Sequence, residues 1–275
     1  VKAVVLMALA CCAVYGVGPT LAQGAAASLV AAHRGGALLW PENSLLAFRN
    51  AVGLGADLVE FDVHLSRDGE VVVIHDATLD RTTTGTGPVR ERTLAELKTL
   101  RLKDRAGTVT GESVPTLNEV AAIAAGGKRG MLLEIKVDEQ RRRYPGIEEK
   151  AVDIVARHGL TASTVVTAFE RETWRRVREL RPDITVGALY SPGTLRAMGS
   201  TLAQELAGAR TAGVGVVGLH QDLVDAGTVA AAQRAGIALA VWTVNEPKAL
   251  RRFIDLGVAI VITDRPDLAK GLLHR

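Results

Sequence analysis

Cysteine is nearly absent from this 275-residue chain: there are two, Cys11 and Cys12, both within the first 27 residues. The rest of the chain can therefore form no disulfide framework, no thiolate zinc site and no cysteine nucleophile. Aromatic residues make up only 4%, too sparse for the stacking platforms that hold single-stranded nucleic acid. Neither sign of charge dominates, with 33 Lys and Arg against 30 Asp and Glu and a formal net charge of +3. Basic residues are scattered except at Arg141-Arg142-Arg143, a run of the kind that forms a solvated loop. Nucleic acid is not an expected partner. No internal repeat is present, and no low-complexity linker beyond an alanine-rich junction at 25–32.

The N-terminal stretch has its own character. Lys2 precedes an uncharged, mostly apolar run over residues 3–18, broken by Gly16, Gly18 and Pro19, and Thr20-Leu21-Ala22 supplies small residues at peptidase-readable positions. The run falls short of the roughly 20 residues of a membrane helix. Residues 1–27 are thus expected to be a signal peptide cleaved near Ala22, which exports the protein to a periplasm or the medium. Lipid attachment at Cys11, after Ala8-Leu9-Ala10, is the weaker alternative, because little of the apolar run precedes it. Cleavage removes both cysteines and Lys2, and leaves residues 28–275 as a domain large enough to hold by its core alone.

From residue 28 onward, short β-branched runs alternate with amphipathic segments. Strands are expected at 29–33, 57–65, 131–137, 164–169, 185–190, 214–220, 237–244 and 258–263, with helices at 44–54, 147–157, 170–180, 202–212, 225–235 and 247–256. Near-continuous hydrophobicity in the strands points to a parallel sheet covered by helices. At this length the closed (β/α)8 TIM barrel fits best. An open doubly wound sheet is disfavoured, since no Gly-x-Gly-x-x-Gly turn follows the first strand. A further apolar run, 71–74, follows Asp68-Gly69, a hairpin signal. The second strand is expected to overshoot the barrel mouth, turn there, and bring His75 back to the rim. Residues of about 77–115, threonine- and glycine-rich in part, read as a small insertion above the mouth.

Chemistry-bearing residues gather at strand ends. Glu60 and Asp62 are two apart on a strand and share a face, and Glu134 and Lys136 repeat that spacing. Carboxylates converging on one mouth repel unless a cation lies between them. Hard oxygen donors without thiolate suit one divalent cation, Mg²⁺ or Ca²⁺. His33 and His75 each close an apolar run beside that acidic mouth, as a proton donor and acceptor pair would. Arg34 is placed to grip a phosphate, and Gly35-Gly36 allow close backbone approach. Trp242 and Tyr190, at strand ends, are candidates for an apolar wall. His64 is expected on the hairpin, sharing the face of Asp62 only if the strand bulges.

The ordered set His33-Arg34-Gly35, Pro41-Glu42-Asn43-Ser44, Glu60-x-Asp62-Val63, Asp68-Gly69, His75-Asp76, Leu79-Asp80-Arg81-Thr82-Thr83, Pro115-Thr116-Leu117, Glu134-Ile135-Lys136, Trp242-Thr243-Val244-Asn245 and Thr263-Asp264-Arg265-Pro266 resembles the glycerophosphodiester phosphodiesterase family. The resemblance runs from about residue 31 to 268. It implies a barrel with a small insertion, a divalent metal, and hydrolysis of glycerophosphodiesters to glycerol 3-phosphate and an alcohol. Carried over by position, Glu60, Asp62 and Glu134 would hold the metal, and His33 and His75 would be acid and base. Arg34 and Lys136 would bind the phosphate, with Trp242 at the substrate. Ser44 stands where threonine is more usual, keeping the hydroxyl. Ala168 stands where the family often has serine, which would alter a polar contact at the fourth barrel strand.

Two other functions fit less well. A lysophospholipase D or sphingomyelinase D-like enzyme would want an apolar entrance, whereas 77–115 is polar. A non-enzymatic, surface-binding barrel would not need both histidines and all three carboxylates. Headgroup and oligomeric state leave no mark in the sequence.

Overall fold

The structure, a computed structural model, describes residues 28–273; the expected signal peptide and both cysteines lie outside the described residues. Valine, isoleucine, leucine and alanine dominate the strands on both faces, as parallel strands covered on each side require. Among the described residues the strands are β1 (Leu29–Ala32), β2 (Leu58–Leu65), β3 (Val71–Val73), β4 (Gly130–Ile135), β5 (Thr164–Ala168), β6 (Thr185–Tyr190), β7 (Val216–His220), β8 (Ala238–Trp242) and β9 (Ile260–Thr263). All but β3 run parallel, and β1 pairs with β9 on one side and β2 on the other, so the sheet closes on itself. The chain forms the expected (β/α)8 barrel.

The helices are α1 (Leu45–Leu54), α2 (Leu94–Thr99), α3 (Leu117–Gly126), α4 (Ile147–Arg157), α5 (Arg171–Leu180), α6 (Pro192–Met198), α7 (Leu202–Thr211), α8 (Ala226–Ala235), α9 (Pro247–Asp255) and α10 (Pro266–Leu273). Hydroxyl caps start many of them: Ser44 accepts from the Ala47 N–H, and Thr93, Thr116 and Thr201 close reciprocal capping boxes. Helix α6 escaped the sequence reading, since its seven residues are too short to show a helical period. None of the described helices is long and apolar enough to cross a membrane.

Alternation along the strands sends one set of side chains out to the helices and the other into the bore. Ala31, Leu58, Leu132, Val165, Val216 and Ile260 belong to the inner cluster. Gly187 and Gly218 also face inward: a Cβ on Gly218 would lie 2.5 Å from Leu189 Cδ2, and one on Gly187 2.7 Å from Thr167 Cγ2. The bore is therefore solid, and polar side chains are left to the layer above it, at the carboxyl ends of the strands.

The second strand does overshoot. Ser66 N–H donates to the Glu70 carbonyl (3.0 Å) and Glu70 N–H to Ser66 Oγ (2.9 Å) around Gly69, whose φ of +80° favours glycine. Strand β3 then returns antiparallel, with Val63 opposite Val73. Beyond it, Leu79, Val89, Leu97 and Leu102 pack with Val72 and Ile74 in a small separate cluster. Residues 77–115 thus carry a core of their own, floored by the hairpin.

Candidate active site

The loop after β1 is tightly wound. Arg34 has a φ of 49° and Asn43 a φ of 55°, left-handed conformations that cost a non-glycine residue about 1–2 kcal/mol. The turn aims the Arg34 N–H at Glu60 Oε2 (2.8 Å) and lets Asn43 N–H donate to the Arg34 carbonyl (2.9 Å). Gly35, at φ +82°, lies against α1: a Cβ there would sit 2.7 Å from Ala47 Cβ. Only glycine meets both demands.

Glu60 and Asp62 project from β2 into the mouth, and Asp62 stands in register with Glu134 on β4. One oxygen from each carboxylate lies within 4.8 Å of the others, so the three form a group that can hold a metal ion. Burial raises the proton affinity of Glu60, helped by Asp62 and Glu134 and opposed by His33, and its pKa is raised. Burial acts the same way on Asp62, but Lys136, His75, Arg34 and His33 outweigh it and hold that carboxyl well below the usual range. Asp62 is 1% exposed.

Each mouth histidine is held by a carboxylate through Nδ1. His33 Nδ1 lies 2.6 Å from Asp264 Oδ1, and His75 Nδ1 lies 2.7 Å from Asp76 Oδ1. These partners assign the proton to Nδ1 in the neutral ring and leave each Nε2 as the acceptor. Lys136 Nζ lies 3.4 Å from His75 Nε2, 2.7 Å from Glu134 Oε1 and 3.5 Å from Asp62 Oδ1. Burial lowers the His33 pKa, yet Glu60 and the Asp264 hydrogen bond more than compensate and the net shift is upward.

All eight residues expected from the sequence (His33, Arg34, Glu60, Asp62, His75, Glu134, Lys136 and Trp242) line one cleft of about 170 Å³. Two buried donors there have no hydrogen-bond acceptor, Arg34 Nε and Trp242 Nε1. The Trp242 ring meets Phe169 and His220 edge-on, at 5.9 and 5.3 Å between centroids. His220 thus backs the tryptophan.

Three expectations need correction. Tyr190 is on the outer face of β6, beside Trp174 and Arg171, because its inward neighbour is Leu189. Ala168 likewise packs outward, and Thr167 and Phe169 take the mouth, so no polar contact is altered there. His64 follows Asp62 at the strand's period of two and so shares its face without any bulge. Its Nδ1 meets the Tyr144 hydroxyl (2.9 Å) and its Nε2 donates to the His75 carbonyl (3.1 Å).

Other residues went without a role in the sequence reading although their motifs were seen. Asn245 Nδ2 donates to Asp264 Oδ2 (2.7 Å), bracing the partner of His33. Arg81, from the insertion, donates to both Asp76 oxygens (2.7 and 2.9 Å) and both Glu42 oxygens (2.8 and 2.9 Å). Glu42 also accepts from Arg34 Nη1 (3.0 Å). For His75 the signal was adjacent, Asp76 next to it and Arg81 five residues on, whereas the partner of His33 lies 231 residues away in Thr263-Asp264.

Known proteins resemble this chain over nearly the whole of the described span. The model of the glycerophosphoryl diester phosphodiesterase family matches residues 33–268. The chain belongs to that family. A glycerophosphodiester phosphodiesterase of Caldanaerobacter subterraneus subsp. tengcongensis is 34% identical over 249 residues, covering 90% of this chain and 98% of the relative. Among solved structures, an Oleispira antarctica phosphodiesterase in complex with the product sn-glycerol-3-phosphate superposes with a TM-score of 0.77 at 27% identity, over 90% of this chain and 98% of that one. The glycerophosphodiester phosphodiesterase of Agrobacterium tumefaciens gives 0.73 at 25%, over 89% and 99%. The family match begins at His33 and takes in the insertion as well as every barrel strand after β1.

Proposed function

We propose that this protein hydrolyses glycerophosphodiesters to glycerol 3-phosphate and an alcohol, with His33 and His75 as the acid–base pair and one divalent cation, Mg²⁺ or Ca²⁺, on Glu60, Asp62 and Glu134. The observation that carries the reading is the convergence in one cleft of three carboxylates, two carboxylate-held imidazoles and Arg34, whose Nε lies 3.7 Å from Asp62 Oδ2 without a hydrogen-bond acceptor. The donor set fits such a cation: all three ligands are hard carboxylate oxygens, and Glu60 is raised in proton affinity in a way that a bound cation would reverse. What a divalent cation supplies when bound is positive charge beside a phosphate oxygen.

The chain's own residues do the rest. Arg34 Nε and Lys136 Nζ are donors for phosphate oxygens, and Trp242 offers a face and an N–H to the glycerol. One imidazole, neutral at Nε2, takes the proton of the nucleophile, which is either water or the glycerol 2-hydroxyl attacking its own phosphate to form a cyclic diester that water, deprotonated in turn, opens to glycerol 3-phosphate. The other, charged, gives a proton to the departing alkoxide. Asp264 and Asp76 fix the rings and favour the imidazolium each becomes. Residues 1–27 support export, which N-terminal sequencing of the mature protein would check.

The test is turnover of purified protein on a panel of glycerophosphodiesters, before and after chelation with metal add-back. Release of glycerol 3-phosphate that stops on chelation and returns with one cation is the expected result; full turnover after exhaustive chelation would overturn the metal assignment.

A further inference from the structure

His33 and Arg34 also edge a second, larger cavity of about 700 Å³, walled by the insertion on one side and by Asn245, Glu246 and Asp264 on the other. Most charges around it are already committed. Glu42 is taken by Arg34 and Arg81, and Asp264 by His33 and Asn245. Asp104 turns its carboxylate to the N–H groups of Ala106 (2.9 Å) and Thr108 (2.8 Å), closing its own loop. Lys103 and Arg105 remain. Lys103 Nζ meets only the Asp80 carbonyl, at 3.5 Å, and exposed Arg105 forms no ion pair among the described residues. Among the described lining residues the one uncommitted acid is Glu246, at the N-cap of α9. Among the described residues no aromatic side chain lines this cavity, so it offers nothing that a quaternary ammonium group would select.

We propose that this cavity is the subsite for the alcohol half of the substrate, and that it favours an alcohol bearing a second anionic group, a phosphate or a carboxylate, held by Lys103 and Arg105. The inference rests on the phosphodiesterase reading above. A diester whose phosphate sits on Arg34 can extend one arm into the metal cleft and the other here, because both spaces share His33 and Arg34. The two cations stand on an exposed loop, so their joint effect is about tenfold and shrinks as salt screens it.

The experiment compares kcat/KM, per diester, for glycerophosphoglycerol and 1,3-bis(glycerophospho)glycerol, which share an alcohol and differ by its second phosphate. Glycerophosphoglycerate, whose glycerate arm has no amine, supplies the carboxylate arm and glycerophosphocholine the cationic one. The expected result is a preference of about tenfold for the anionic arms over choline and plain glycerol at low ionic strength, fading near about 0.5 M salt. Lys103→Ser with Arg105→Ser should erase that preference and leave glycerophosphoglycerol turnover as it was, while Lys103→Glu with Arg105→Glu should invert it. A gain for the phosphate or the carboxylate arm supports the subsite and identifies its ligand. Equal kcat/KM for all four diesters, or a preference that survives the double serine variant, overturns it. Hydrolysis of none of the four would overturn the phosphodiesterase reading and the subsite with it.

Discussion

Glu60 and Asp62 lie on one face of one strand, yet their neighbours push them in opposite directions. Glu60 is raised by burial and by the two acids beside it; Asp62 is lowered by Lys136, His75 and Arg34. The sequence alone suggests that neutralising either would relieve repulsion and spare the metal-free fold. The structure separates them. Glu60→Gln should abolish cation binding and leave metal-free stability unchanged or higher. Asp62→Asn should lose the cation and also about 3 kcal/mol, because Lys136 and Arg34 stay buried without their shared partner. Denaturant titration in chelator distinguishes the two. His33→Ala and His75→Ala should each lower kcat by about 10²–10⁴, the double variant falling well short of the product, and the wild-type rate should trace a bell against pH. Wild-type turnover in both single variants would end the acid–base assignment. His64 gives a stability signature instead. Burial presses its pKa down to about 4, so between pH 6.5 and 4 the unfolded chain binds a proton that the folded one refuses. Stability is complete above about 6.5 and falls by up to about 3 kcal/mol as pH drops toward 4. His64→Gln should flatten that slope in urea titrations of the metal-free protein.

At the scale of elements, the insertion does more than cover the mouth. Arg81 reaches out of it to hold Asp76, the partner of His75, and Glu42, the partner of Arg34. Arg81→Lys keeps the charge but gives up the paired geometry, and should lower kcat about tenfold to a hundredfold with a smaller change in KM. Its pH–rate bell should also move, whereas a merely misfolded fraction would lower the amplitude and leave the bell in place. Trimming 77–115 outright would take away Leu79, Val89, Leu97, Leu102 and Val114 and leave Val72 and Ile74 uncovered. The histidines and acids of the site were legible because strand period and strand end place them, and a period of two is visible in any run of letters. Asp264 and Asn245 were not, nor was the reach of Arg81 to Glu42: these contacts span 231, 19 and 39 residues of chain, and no local spacing encodes such distances. Tyr190 was misread by one position of strand phase, a slip that reverses the face of every side chain, and Ala168, read from the resemblance alone, lies on the outer face as well.

For the whole molecule, alternation of strand and helix was enough to predict the closed barrel, but not how full its bore would be. Gly187 and Gly218 show that the inner layer is filled to contact from neighbouring strands. Gly218→Val should force Leu189 aside and cost about 1–3 kcal/mol in thermal unfolding, where the same change at outward Gly53, with open space around it, should cost far less. A filled bore also leaves the mouth no freedom to adjust from below. The remaining freedom lies above, where one guanidinium from a peripheral segment fastens Asp76 and Glu42, the carboxylates behind His75 and Arg34. If that segment lifts while the strands stay paired, the molecule is still a barrel by every spectroscopic measure and has stopped turning over. Heating should therefore silence catalysis at a lower temperature than it melts the fold, and cooling from between those two temperatures should bring activity back without any refolding of the barrel.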